Sequence, residues 1–173
     1  DDIDRPDRMV IDLDPDEGMA FADITAAARL VRDHLADMGL ATFPLLTGGK
    51  GVHVIAPLTP AADWADVEGF AKSFAQALEQ AEPKRYTASM SKARRKGRIF
   101  IDWMRNRRGS TAVLPYSVRA REGAPVAVPV SWDMLAEARA ANMFTLADPG
   151  AIVAHAQGLD AGWGQADQRL QLD

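Results

Sequence analysis

The stretch Met9-Val-Ile-Asp-Leu-Asp-Pro-Asp16 constrains the fold of this chain more than any other. Its apolar run reads as a buried strand, along which successive side chains face opposite sides. Ile11 and Leu13 then share one face, and Val10, Asp12 and Asp14 the other. Two carboxylates on one face repel unless a cation sits between them. Pro15 removes a ladder donor and ends the strand, leaving both acids near a rim. One reading is a metal site. The other is a solvated turn, since Asp16-Glu17-Gly18 is ordinary turn sequence.

The rest of the chain supplies partners for such a strand. Ile24, Ala27, Ala28, Val31 and Leu35 have helical spacing within 22–38, and Gly39 is a stop signal. Strands at 42–46 and 52–57 flank the turn Thr47-Gly-Gly-Lys-Gly51, a hairpin that points His53 outward. A helix over 62–81 carries Val67, Phe70, Phe74 and Leu78 as its apolar stripe and is closed by Pro83. In the strand at 98–104, Phe100 and Asp102 share one face, Ile99 and Ile101 the other. A short strand is expected at 111–116 and a loop or sheet edge at 117–129, which holds Arg119 and Arg121. Ser131 reads as the N-cap of a helix from Trp132 to near Asn142, and 151–157 allow one more short helix. His34 and His155 read as structural or surface residues, and the tail from Gly158 as irregular. The expected fold is α/β, a mixed and largely antiparallel sheet with packed helices, in a single domain spanning 1–173.

Composition narrows the partners. No apolar run is long enough to span a membrane and no cationic leader is present, so no membrane partner is expected. Cysteine is absent, which excludes disulfides, thiolate metal ligands and cysteine nucleophiles and fits a cytoplasmic location. The net charge of −4 conceals an asymmetry: residues 84–121 hold 12 of the 20 basic side chains and one acid, Asp102, a local charge of +11 on a body of −15. That stripe is either a solvated face or a surface for polyanions such as nucleic acid.

Asp12, Asp14 and Asp102 together would form a hard-oxygen set suited to Mg²⁺ or Mn²⁺, and two such ions support in-line phosphoryl transfer. Alternatively, Asp102 pairs with the arginines around it. The turn at 47–51 suits a phosphate cradle, with Thr47, Lys50 and His53 as side-chain donors, or is simply a good hairpin. It lacks the spacing of a Walker A loop and opens no helix.

Four motifs in order, Ile11-Asp-Leu-Asp-Pro15, Thr47-Gly-Gly-Lys-Gly-Val-His-Val54, Arg98-Ile-Phe-Ile-Asp102 and Ala112-Val-Leu-Pro-Tyr-Ser-Val-Arg119, closely resemble the polymerase domain of bacterial ATP-dependent DNA ligase D. Ala124-Pro-Val and Val130-Ser-Trp132 continue the likeness. That family belongs to the archaeo-eukaryotic primase superfamily. The resemblance implies template-directed or template-independent addition of nucleotides, preferentially ribonucleotides, to DNA ends in non-homologous end joining, beside the Ku protein and a ligase module. It makes Asp12, Asp14 and Asp102 the ligands of two divalent ions, usually manganese. The family pattern S-x-x-K-G-x-H maps onto Thr47, Lys50, Gly51 and His53 as contacts to the incoming triphosphate, with Thr47 replacing the commoner serine. Arg119 matches a phosphate-binding arginine. Arg95, with Lys92, Arg94 and Lys96, lies where the family holds the primer terminus and template.

The family domain has a substantial segment ahead of its D-x-D strand, and almost nothing precedes that strand here, so a shortened core is expected. Three activities compete: a nucleotidyltransferase using nucleoside triphosphates, a non-catalytic module binding DNA ends or a partner, and a metal-dependent phosphoesterase.

Overall fold

The computed structural model describes residues 2–172. Six strands form one sheet in the order β4-β5-β1-β3-β2-β6. In chain order the elements are β1 (Arg8–Pro15), α1 (Phe21–Asp37), β2 (Phe43–Leu46), β3 (Val52–Pro57), α2 (Trp64–Ala81), β4 (Tyr86–Thr87), α3 (Lys92–Arg95), β5 (Ile99–Asp102), β6 (Val128–Pro129), α4 (Trp132–Glu137) and α5 (Pro149–Gly158). Only β4 and β5 run parallel; every other neighbouring pair is antiparallel, as expected of a mixed, largely antiparallel sheet.

Alternation along β1 sorts its two faces. Met9, Ile11 and Leu13, all fully buried, meet Val52, Val54, Ile99 and Ile101 in the main core. The stripes of α1 (Ile24, Ala27, Ala28, Val31, Leu35) and α2 (Val67, Ala71, Phe74, Ala75, Leu78) cover that face. Capping sets the helix limits. Asp63 and Asp66 form a reciprocal capping box at the start of α2, while Gly39, at φ +80°, lets Leu40 N–H return to the Leu35 carbonyl at the end of α1. The opposite face carries a smaller cluster, Val10, Leu45 and Ile55 with Val113 and Trp163, and then the polar residues considered below.

Two expectations fail, the first for a local reason and the second for a tertiary one. Residues 111–116 form no strand: Pro115 brings no N–H and Tyr116 is left-handed at φ 63°, so pairing starts only at Tyr116, whose N–H reaches the Ala127 carbonyl at 2.7 Å. Helix α4 starts on Ser131, whose hydroxyl accepts the Met134 N–H, but stops at Glu137 rather than near Asn142. Beyond it the chain turns extended at Ala138, and the Ala141 carbonyl accepts the Gly48 N–H at 3.0 Å. That contact to the glycine turn replaces another helical turn. Among the described residues, no helix is long and apolar enough to cross a membrane.

A candidate active site on one cross-strand row

Strand β1 lies between β3 and β5, and the registers on its two sides determine the site. Asp12 is opposite His53 on β3 and opposite Asp102 on β5. The row Asp102-Asp12-His53 therefore crosses three strands on the face that the large helices leave uncovered. All three residues are buried, at 7%, 8% and 3% exposure. His53, expected to point outward, does face the site, yet it is enclosed: its Nε2 lies 3.4 Å from Asp12 Oδ2 and its Nδ1 has no hydrogen-bond partner among the described residues.

A cavity of about 230 Å³ opens over this row, lined by Asp12, Asp14, Thr47, Gly49, Lys50, Gly51, His53, Arg105, Thr111, Val113, Arg119 and Arg121. It gathers the D-x-D acids, the glycine turn and Arg119 from three distant parts of the sequence. The turn is closed from within. The Thr47 hydroxyl donates to the Gly51 carbonyl at 2.8 Å and accepts the Gly49 N–H at 3.3 Å, so its polar capacity serves the turn itself. Arg119 Nη1 donates to the Thr47 carbonyl at 2.7 Å, tying the turn to the 117–129 segment. Gly51 packs so closely on β1 that an added Cβ would overlap the Leu13 carbonyl oxygen. Lys50 extends toward Glu17, 3.6 Å away, and both side chains are exposed.

The acids are already paired with cations. Arg105 Nε lies 3.1 Å from Asp12 Oδ2 and 3.2 Å from Asp102 Oδ2. Arg95 Nη2 reaches Asp14 Oδ2 at 2.6 Å while its guanidinium lies over the Phe100 ring, 4.1 Å from the centroid. Electrostatics separates the two acids of the row. Burial would raise the Asp12 carboxyl, but hydrogen bonding and charge from His53, then Arg105, outweigh it and hold Asp12 below the usual carboxylate range. For Asp102 burial prevails, and the carboxyl sits above that range although Arg105 and the Met104 N–H pull it down. As the side chains stand, no three acidic or histidine residues among those described converge closely enough to hold a metal ion. The donor chemistry nonetheless fits one: hard carboxylate oxygens, a shared face, and a buried Asp12-Asp102 pair that already requires positive charge between its members.

The basic residues divide. Lys92 and Arg95 line a neighbouring cleft of about 450 Å³ with Asp14, Lys50 and Arg121. Arg94 turns the other way, onto Glu79 at 2.7 Å, and Lys96 is exposed at the end of α3. Glu79 also accepts from the Thr87 hydroxyl and the Ala88 N–H, so α2 holds the start of the basic segment in place. Sequence reasoning missed Arg105 and gave Arg121 no role. The available signal for Arg105 was its position three residues after Asp102, which a single helical turn brings back over the acid.

Comparison with known proteins gives the family and the fold. The family model described as LigD, primase-polymerase domain, matches residues 1–159. A multifunctional non-homologous end joining protein LigD from Pseudomonas aeruginosa is 41% identical over 144 residues, 83% of this chain and 17% of that protein. The Mycobacterium bovis counterpart is 45% identical over 125 residues, 72% of this chain and 16% of its own length. The chain thus spans about a sixth of these relatives. Among solved structures, the polymerase domain of Mycobacterium tuberculosis ligase D, in complex with DNA, superposes with a TM-score of 0.81 at 38% identity, over 91% of this chain and 54% of that one. With the motifs in order, the fold shared and the match running along most of its length, the chain belongs to the LigD primase-polymerase domain family.

Proposed function

We propose that this domain is a divalent-metal-dependent nucleotidyltransferase that adds nucleotides, preferably ribonucleotides, to DNA 3′ ends in non-homologous end joining. The observation that carries the reading is the cross-strand row Asp102-Asp12-His53, set beside both the glycine turn and a cationic cleft. Asp12, Asp14 and Asp102 would hold two ions, manganese or magnesium. When bound, such ions supply charge neutralisation at the triphosphate and a lower pKa for an attacking hydroxyl. The remaining work falls to the chain's own side chains. Lys50 and Arg121, with Arg119 on the cavity wall, attract and orient the triphosphate, while Gly51 keeps the turn against β1 so that phosphates and acids stay in reach. His53, with Nε2 toward Asp12, lines the cavity beside the phosphates and keeps that acid in place. Lys92 and Arg95 receive the DNA terminus, with Arg94 and Lys96 adding charge. A Ku-type end-binding protein and a ligase module are the expected partners, in the cytoplasm.

A labelled primer-template incubated with Mn²⁺ and separate ribo- and deoxyribonucleotide pools tests this, with Asp12→Ala/Asp14→Ala alongside. Extension by the parent alone is expected; equal extension by both would reject the assignment. The pairing of all three acids with arginines favours a second reading, a non-catalytic DNA-end module. It predicts salt-sensitive DNA binding with no incorporation, and binding insensitive to salt would count against it.

A further inference from the structure

Asp12 and Asp102 face each other across β1 and β5, both more than nine-tenths buried. Two such carboxylates stay ionised together only with a cation between them. Arg105 provides it, bridging the two Oδ2 atoms through Nε while its Nη1 donates to the Thr111 carbonyl at 3.2 Å. The planar fork suits this better than an ammonium would, since one group reaches three oxygens in a fixed geometry. The guanidinium lies against Oδ2 of each acid, so its charge and that of a divalent ion compete for the same two carboxylates. The Arg105 side chain is 38% exposed and lines the same cavity as Lys50, Arg119 and Arg121, so an arginine leaving the acids remains in the cavity proposed above for the triphosphate.

We propose that Arg105 is a built-in counter-cation that holds Asp12 and Asp102 in the metal-free domain and moves onto the incoming triphosphate when a divalent ion takes its place, making metal and nucleotide binding cooperative. The inference rests on the metal-binding reading above. Without nucleotide, Arg105 leaves two charge-assisted contacts for water. With nucleotide, phosphate oxygens replace them. Each ligand therefore strengthens the other by the same factor.

The test titrates Mn²⁺ into the full chain, reading free ion by electron paramagnetic resonance, with and without a triphosphate whose α,β bridge cannot be cleaved. Arg105→Ala should bind Mn²⁺ about tenfold more tightly than the parent without nucleotide, the scale of a charge-assisted contact that no longer has to be broken. The factor by which triphosphate improves Mn²⁺ affinity should fall by a similar amount, and the metal-free melting temperature should drop. Arg105→Gln, which keeps an N–H donor near the place of Nε but carries no charge, gives the same comparison if the alanine variant folds poorly. Equal or weaker Mn²⁺ binding by a folded Arg105 variant overturns the proposal. An Asp12→Asn/Asp102→Asn variant separates the two ideas. If it binds Mn²⁺ as the parent does, the acids are not the metal site and both fall; if it loses the ion while Arg105→Ala gains no affinity, only the role of Arg105 falls.

Discussion

Gly51→Ala tests whether the turn and the acid strand work as one rigid unit. A Cβ at Gly51 would overlap the Leu13 carbonyl oxygen, with the Leu13 carbonyl carbon at 3.2 Å and Asp14 Cα at 3.6 Å. The obstacle is backbone, so no rotamer change relieves it. Either β1 moves away between its two acids or the hairpin end lifts off it, and both shift Asp12 and Asp14 relative to the turn. Overpacking of this kind costs about 1–3 kcal/mol. For a domain of this length that corresponds to a fall in melting temperature of roughly 3–10 °C. Gly49→Ala is the control two residues away. Its Cβ would meet Thr47 Oγ1 at 3.4 Å and the Arg121 Cζ at 3.6 Å, which is ordinary contact. That variant should melt within about 0.5 kcal/mol of the parent. Thermal unfolding by circular dichroism gives the stability, and primer extension the site geometry, where Gly51→Ala should lose on the order of a hundredfold, the scale expected of a misplacement near 1 Å. Were Gly51→Ala to melt with the parent and extend primer normally, the close approach described here would be refuted.

Three further outcomes follow from other parts of the structure. Asn106→Ala removes an amide, 2% exposed, that accepts the Val10 N–H and donates to the Val10 and Trp103 carbonyls, all at 2.8 Å, so urea denaturation should show a loss of about 3 kcal/mol with unchanged m, and a loss under 1 kcal/mol would contradict it. Asp102→Asn keeps the acceptor for the Met104 N–H but removes a charge that burial disfavours, so the metal-free variant should melt above the parent at pH 7 while losing extension. Because the folded pKa of Asp102 is raised, the parent's deficit is fully present above that value and disappears as pH falls through it toward 3.8; a gap that widens on acidification would argue against this. Glu79→Ala releases Arg94, Thr87 and Ala88 together, and should raise the KM for primer about tenfold with little change in the KM for nucleotide, because Lys92 and Arg95 lie on the loosened segment; equal effects on both constants would remove Glu79 as a positioning residue.

The elements that sequence patterning revealed are those whose burial is decided locally. Alternation marked β1 and β5, the glycine turn marked β2 and β3 as a hairpin, and 3.6-residue periodicity marked α1 and α2, because each packs against the same core. What failed was decided by the local backbone in one case and by other parts of the chain in the other. Residues 111–116 have strand composition, yet Pro115 and a left-handed Tyr116 interrupt any ladder, and α4 yields its last turns to the contact between Ala141 and Gly48. Asn106 was illegible for a related reason. Opposite Val10 the strand β5 has already ended, and an amide from the turn after it completes the ladder.

The candidate site was legible in its parts and not in its assembly. Each acid stood out as a polar break in an apolar strand, but nothing local says that Asp12 would lie opposite both His53 and Asp102; that depends on β1 taking the central place between β3 and β5. Once it does, the arginines follow from electrostatics. Burying a carboxylate row demands compensation nearby, and the +11 segment that flanks β5 supplies it through Arg105 after the strand, while Arg95 before the strand pairs with the half-exposed Asp14 beside the row. The cationic stripe that reads in sequence as a surface for polyanions therefore also serves inward, as the counter-charge of the acids. On the function proposed above, a domain built this way holds its anion-binding and cation-binding groups against one another, and a metal ion and a polyphosphate that bind together share the cost of separating them.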